Sequence, residues 1–416
     1  MCYDKLVMLS VDKALEIVIN NVRTIERIDS VGLDSANGRV LAEDIFSDID
    51  MPPFNRSSMD GFALISDDIS NVPAELSIIE EIPAGYFPKK KVVRGTTAKI
   101  MTGAPVPEGA DAVVMVENTE SLKDNKVKIL SKAKKGENIS NRGEDVKKGD
   151  KILSKGITLR CQEISILAAV GKYKVKVLSQ PRVSILATGT ELVEPDIIPS
   201  QGQIRNSNSY SLFAQCQSIG IKPEYLGIAV DDEADLRKKI KEGLNYDIFL
   251  ISGGISMGDY DFVPSILRDM GVKIEFEKVA IKPGKPVLFG TKGKTIVFGL
   301  PGNPVSTMVI YDIFVKPVLK KMSGDSVNFN FTGKARVEKD FRRKKAERQE
   351  YIPVKITRSG MEAGAMPVEF HGSADMTAVT KANGLLIIPV GIDKINKGDI
   401  CNVMWFSSAD PSYMPS

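Results

Sequence analysis

The chain has 416 residues, 43% of them hydrophobic and 26% charged, as in a soluble globular protein of roughly two to four domains. Its 56 basic and 53 acidic residues leave a formal net charge of +3, which excludes the basic excess of a nucleic-acid binder. One histidine, His371, and the scattered Cys2, Cys161, Cys216 and Cys401 exclude most imidazole acid–base schemes and a Cys/His zinc site, and fit reduced thiols in the cytosol.

The first residues, "MCYDKLVMLSVDKALEIV", carry charges throughout and lack the apolar core of a secretion signal. No apolar run approaches the ~20 residues needed to cross a bilayer, so a cytoplasmic location is expected. Ser10 reads as an N-cap. Val11, Ala14, Leu15, Val18 and Ile19 follow at helical spacing and predict an amphipathic helix. A second helix is predicted over Cys161 to Gly171, ending at its glycine. Between them the text is rich in turn residues and short β-like runs, at Leu76 to Ile79, Ala112 to Val116 and Val127 to Leu130. Residues 51–146 therefore read as a β-rich insert within a helical segment. The Lys89-Lys90-Lys91 run and the Lys132 to Lys135 cluster read as solvated faces.

After Pro181 short apolar runs alternate with helical patterns. Val183 to Ala187, Tyr225 to Val230, Asp247 to Ser252 and Thr295 to Leu300 suit parallel strands buried on both faces. Leu212, Cys216 and Ile219 mark one helix, Leu236, Ile240 and Leu244 another, and Val305 to Met322 a long one ending at Ser323-Gly324. The alternation predicts a doubly wound α/β sheet. From about residue 325 the text is β again, read as a small barrel or sandwich with one short helix at Ala374 to Ala382. The expected boundaries are 1–50 with 147–180, then 51–146, 181–324 and 325–416.

Ligands of open α/β sheets bind at the carboxyl ends of the strands. The four runs end in Thr188-Gly189-Thr190-Glu191, Asp231-Asp232, Ser252-Gly253-Gly254 and Pro301-Gly302-Asn303-Pro304, with Ser306 opening a helix. Glycines and helix starts offer N–H groups to phosphate. Glu191, Asp231, Asp259 and Asp261 offer hard oxygen ligands. A phosphate or pyrophosphate with magnesium between it and the carboxylates satisfies both. The alternatives are local: Asp231 as the cap of the helix near Glu233, Asp259 as the cap of the next helix, with Asp261 in its first turn. In "KPGKP", Lys282 and Lys285 flank Gly284 between prolines, which suits an oxyanion or else an exposed loop of solvated lysines. Asp60 and Asp145, near the two ends of the insert, are turn residues or, if the insert folds over the sheet edge, site residues.

"PPFNRSSMDGFAL", "TGAPVPEGADAVV", "NRGEDVKKGD", "ATGTEL", "IRNSNSYSL", "SGGISMGDYDF", "KPGKP" and "GLPGNPVS" occur in this order. The ordered set resembles the molybdopterin molybdenumtransferase family, which includes MoeA and the E domain of gephyrin, over nearly the whole chain. The resemblance implies a multi-domain α/β plus β protein. Its parts would be an elongated dimerisation domain (1–50 and 147–180), a β-rich insert domain (51–146), a doubly wound α/β molybdopterin-binding domain (181–324) and a C-terminal β-barrel (325–416). It implies a homodimer in which the α/β domain of one subunit meets the insert of the other, bringing up Asp60 and Asp145. The implied reaction inserts molybdate, or tungstate, into adenylylated molybdopterin with Mg2+-dependent release of AMP, the substrate coming from a molybdopterin adenylyltransferase partner. Asp60, Asp145, Asp231 and Asp261 would be catalytic. Glu191, Asp231, Asp259 and Asp261 would hold the magnesium. Thr188, Gly253, Gly254 and Ser256 would meet the pterin phosphate, with Gly189, Pro301 and Asn303 also binding the cofactor, and Lys282, Lys285, Ser306 and Ser373 the molybdate. An arginine is also expected at the oxyanion, from among Arg342, Arg343 and Arg348. "HGSADMTAV" departs from the family's G-S-x-x-L pattern, with Met376 in place of leucine. A scaffold that binds a peptide, as the gephyrin domain does, and a pterin- or nucleotide-binding hydrolase are the other readings. The retained acids favour the enzyme.

Overall fold

Three of the four runs after Pro181 become strands covered on both faces, while Glu224–Ala229, expected to be covered likewise, lies at the sheet edge and is only partly buried. Val183–Thr188 and Ile248–Ser252 are buried at every position in the computed structural model, which describes residues 8–230, 232–255, 262–325, 332–359 and 362–406. The six-stranded sheet has the order Glu224–Ala229, Val183–Thr188, Ile248–Ser252, Thr295–Leu300, Pro286–Lys292, Lys273–Lys278. The first four strands are parallel. The last two pairings are antiparallel, so the expected parallel sheet carries a hairpin edge. Lys292 pairs with Thr295 across Gly293-Lys294, with Gly293 at φ +60°. A two-residue turn leaves no room for a crossover helix, and antiparallel pairing follows.

Helices cover both faces. Asn208–Gln217 and the stretch after Pro304 bury Leu212, Cys216, Val309 and Phe314 on one side, together with Val11, Ala14 and Val18 of the helix Val11–Asn20. That helix is capped as expected, Ser10 Oγ accepting the Lys13 N–H at 3.2 Å. Glu233–Gly243 and Val263–Asp269 cover the other side through Leu236, Ile240, Ile266 and Leu267. The long helix predicted from Val305 is α-helical over Pro304–Ile310 and Lys316–Met322, with a wider π turn over Tyr311–Val315. Pro317 has no N–H for the carbonyl one turn back, and the chain widens over the preceding residues.

Gln349–Ser359, Glu362–Pro367, Thr332–Val337, Ile400–Trp405 and Gly384–Ile388 pair in that order and close on themselves, so the barrel alternative holds over the sandwich. Closure leaves no free sheet edge. Val337, Val354, Ile356, Leu386 and Val403 fill it.

These elements belong to one compact unit, Met1–Asp29, Gly38–Val40 and Val177–Ser416. Ser30–Asn37 and Leu41–Lys176 form a second. Its six-stranded sheet has the order Ala112–Met115, Gly61–Leu64, Thr96–Ile100, Ala74–Ile82, Lys126–Ile129, Thr119–Ser121, with apolar clusters on both faces. The predicted helix is present at Cys161–Ala169. A short stem closes the segment between: Arg56–Ser57 pairs with Ile139–Ser140, and Met51 bridges Val146. Among the described residues no helix is long and apolar enough to cross a membrane.

Candidate active site

At the carboxyl edge of the α/β sheet, two turns converge on Thr188. Gly253 and Gly254 adopt φ of +94° and +63°. A Cβ on Gly253 would lie 2.3 Å from the Thr188 carbonyl oxygen, and one on Gly254 2.6 Å from Thr188 Oγ1. Only glycine fits this turn. The Gly253 N–H is donated to the Leu300 carbonyl at 3.1 Å, so Gly253 offers no free donor, and its missing Cβ makes room for Thr188. Thr188 is 3% exposed, and its Oγ1 is buried with no hydrogen-bond partner among the described residues. Glu191 is exposed, its carboxylate folded back over Gly189.

The second turn, Pro301 to Pro304, is fastened to the helix it starts. Thr307 Oγ1 donates to the Pro301 carbonyl at 2.5 Å, and the Thr307 N–H to the Asn303 carbonyl at 3.1 Å. Ser306 is buried one turn along, and Asn303 is exposed. The Val305 N–H reaches the Ser373 carbonyl at 3.1 Å, which joins the sheet edge to the barrel. Asn208 links the two turns: its Nδ2 donates to Ser252 Oγ and to the Gly302 carbonyl, each at 2.8 Å. Asn208 was not among the predicted site residues, although it lies in the "IRNSNSYSL" stretch.

Beside the barrel is a cleft of about 600 Å³ with six cationic side chains in its lining, Lys282 and Arg342 among them, against Glu347 and Glu350. Ile281–Lys282 pairs with the start of the strand Gln349–Ser359, which carries Lys282 to the cleft. Lys282 Nζ lies 2.7 Å from the buried Glu350 Oε1. Lys285 is exposed and does not line this cleft, whereas Gly372, next to Ser373, does.

The three candidate arginines differ in what they touch. Arg343 is buried and donates to the carbonyls of Ile392, Arg348 and Pro389 at 2.6, 2.8 and 2.5 Å, with Glu350 at 3.4 Å. Arg348 donates to the Ile281 carbonyl at 3.3 Å. Arg342 is exposed to the cleft, and its guanidinium has no protein partner among the described residues. Of the three, only Arg342 has a guanidinium with no hydrogen bond to the protein among the described residues.

In the second unit, both acids lie by the stem. Asp60 Oδ1 accepts the Thr102 N–H at 2.6 Å and the Thr102 hydroxyl at 2.8 Å. These bonds hold its carboxyl below the usual range. The Asp145 N–H is donated to the Met51 carbonyl at 2.9 Å, and its side chain is exposed. Arg142 completes the stem, its N–H on Asn55 Oδ1 at 2.8 Å and its guanidinium on Asp50 at 2.6 Å.

Asp231, Ser256, Asp259 and Asp261 lie outside the described residues. Asp232 caps the helix Glu233–Gly243, accepting the Asp235 N–H at 3.0 Å, so the capping role considered for Asp231 falls to its neighbour. Val263–Asp269 has Phe262 at its N-cap position, which removes that role from Asp259. Among the described residues no three His, Cys, Asp or Glu side chains are placed to share a metal ion. Glu191 is the one expected ligand among them, and its carboxylate has no cationic side chain bound to it there.

Three family descriptions match successive parts of the chain: "MoeA N-terminal region (domain I and II)" over residues 9–171, "Probable molybdopterin binding domain" over 184–321, and "MoeA C-terminal region (domain IV)" over 334–406. Proteins named molybdopterin molybdenumtransferase are similar along almost their whole length. That of Nostoc sp. (strain PCC 7120) is 36% identical, with 94% of this chain and 92% of the relative covered. The Staphylococcus aureus (strain Mu50) protein is 33% identical, with 95% of each covered. The crystal structure of the molybdopterin biosynthesis moeA protein from Pyrococcus horikoshii OT3 superposes with a TM-score of 0.80 at 33% identity, covering 96% of this chain and 100% of that one.

Proposed function

Because this chain belongs to the molybdopterin molybdenumtransferases, enzymes of molybdenum cofactor biosynthesis, we propose that it inserts molybdate or tungstate into adenylylated molybdopterin with Mg2+-dependent release of AMP. The observation that carries this reading is the cationic cleft, which reaches the sheet edge through Gly372 and Ser373. Molybdate is a dianion, and charge-assisted hydrogen bonds suit it. Lys282 and Arg342 hold it, aided by Ser373, with Lys285 on the loop behind. At the sheet edge, the Gly253-Gly254 turn packs tightly against Thr188, and the Thr188 hydroxyl meets the pyrophosphate as donor. Gly189, Pro301, Asn303 and Ser306 shape the same edge, and Ser256 extends it.

Glu191, Asp231, Asp259 and Asp261 are the hard oxygen donors for magnesium, and the unpaired Glu191 carboxylate fits that role. Bound magnesium supplies charge neutralisation at the phosphate oxygens. Asp60 and Asp145 come from the insert of a second subunit in a homodimer. In this reading the chain has four parts: a dimerisation domain (1–50 and 147–180), the insert (51–146), the α/β domain (181–324) and the barrel (325–416). It works in the cytoplasm on substrate supplied by a molybdopterin adenylyltransferase.

The test is AMP release from adenylylated molybdopterin with magnesium, run with molybdate, with tungstate and with neither. Oxyanion-stimulated release that is lost in Asp261→Ala supports the reading and ranks the two oxyanions. No release under any condition refutes it.

A further inference from the structure

Asn208 stands where its amide group has two jobs. Its Nδ2 holds the Ser252-Gly253-Gly254 turn against the turn that begins at Pro301. The Gly302 carbonyl can only accept, so the orientation of the carboxamide is fixed. That leaves Oδ1 on the other side, buried and without a partner among the described residues. An amide oxygen has lone pairs and no proton, so phosphate and molybdate oxygens cannot satisfy it. Only an N–H or O–H donor can. Buried acceptors are rarely left unpaired in native proteins.

We propose that Asn208 is a positioning and specificity residue. Its Nδ2 sets the spacing of the two turns, and its Oδ1 accepts a hydrogen bond from a donor group of the substrate outside the phosphates. This rests on the reading of the sheet edge as the site for adenylylated molybdopterin. That substrate offers three such donors, the N–H groups of the pterin, the hydroxyls of the ribose and the amino group of the adenine.

The test uses the full chain and calorimetric binding of three probes: 6-hydroxymethylpterin, AMP and inorganic pyrophosphate. Ser252→Ala first cuts one arm of the strut while leaving Oδ1 in place. Adding Asn208→Ala to it is expected to weaken pterin or AMP a further ~3- to 10-fold, the size of one hydrogen bond, with pyrophosphate changed less than about 2-fold. Loss confined to pterin identifies the pterin as donor, and loss confined to AMP the nucleoside, ribose or adenine. Equal losses for all three probes, or no loss beyond that of Ser252→Ala, would mean the carboxamide is only a strut and overturns the assignment. Asn208→Asp guards against a variant that unfolds. It keeps an acceptor oxygen and adds charge, so it should retain pterin or AMP binding while weakening pyrophosphate; the reverse pattern also overturns the assignment. A wild-type protein that binds none of the probes refutes the underlying reading of the site instead.

Discussion

Alanine at Gly253 puts the strand-end turn to a quantitative test. At φ +94° any side chain pays about 1–2 kcal/mol for left-handed backbone. The new Cβ would also lie 2.3 Å from the Thr188 carbonyl oxygen and 3.1 Å from its hydroxyl. The first contact is with backbone, more than ~1 Å inside normal separation, so the turn itself must move. Overpacking of this kind costs about 1–3 kcal/mol, giving a total of about 2–5 kcal/mol. Gly398 provides an internal standard, with φ +98° and nothing within 4 Å of its Cβ position. Gly398→Ala should therefore lose only about 1–2 kcal/mol. Urea titration followed by circular dichroism, with the denaturant slope checked in each variant, measures both. In the AMP-release assay Gly253→Ala should lose more than ~10-fold, because a ~1 Å displacement of positioning groups costs up to ~100-fold. Gly398→Ala should keep full activity. If Gly253→Ala matched Gly398→Ala within ~0.5 kcal/mol and stayed active, the turn would not be what holds the site.

The adjacent arginines should separate binding from stability. Arg342→Ala is expected to raise the KM for molybdate by ~10- to 100-fold with Tm unchanged, since one charge-assisted bond is worth about 1.5–3 kcal/mol. Arg343→Ala should lower stability by about 3–5 kcal/mol on thermal denaturation, because it strips a buried partner from Glu350 and donors from three carbonyls. Reversed phenotypes would exchange their roles. For Asp60, the Thr102 bonds depress the folded pKa, so their stabilisation is present above the unfolded value and is lost as pH falls through the folded one. Thr102→Val keeps the backbone N–H and removes only the hydroxyl bond, so it should move the Asp60 titration, followed by carboxyl-carbon NMR, part of the way back up; an unmoved titration would exclude the hydroxyl and leave the N–H bond as the cause.

Local patterns carried the helix at Ser10 and the four parallel strands, where apolar runs bounded by turn signals leave little choice. The hairpin edge of the sheet was missed although its signal was present. "GTKGKT" holds a two-residue glycine turn, and "KIEFEK" alternates charge with apolar residues, as a half-covered edge strand does. At the site, sequence order identified strand ends but not which side chains meet. Asn208 and Gly302 are 94 positions apart, and their contact depends on where the helix Asn208–Gln217 packs against the sheet edge, which no local pattern states. Arg342 and Arg343 cannot be ranked from text. Alternation along an extended chain leaves one exposed at the cleft and turns the other inward to be buried, and which is which depends on the pairing of Phe341–Arg342 with Lys394–Ile395.

The stem of the second unit has a consequence for the order of folding. Pairing Arg56–Ser57 with Ile139–Ser140 closes a loop of about eighty residues, which costs ~4 kcal/mol of chain entropy if nothing inside it is yet ordered. A ladder two residues long returns only about 1 kcal/mol per hydrogen bond. The stem cannot nucleate; it must wait for the six-stranded sheet to bring its ends together. Asp145, beside Met51 on the stem, is therefore placed late, whereas Asp60 is already held by Thr102 at the sheet, so a chain that stalls before that step can hold a formed sheet with Asp60 fixed and Asp145 not yet in position.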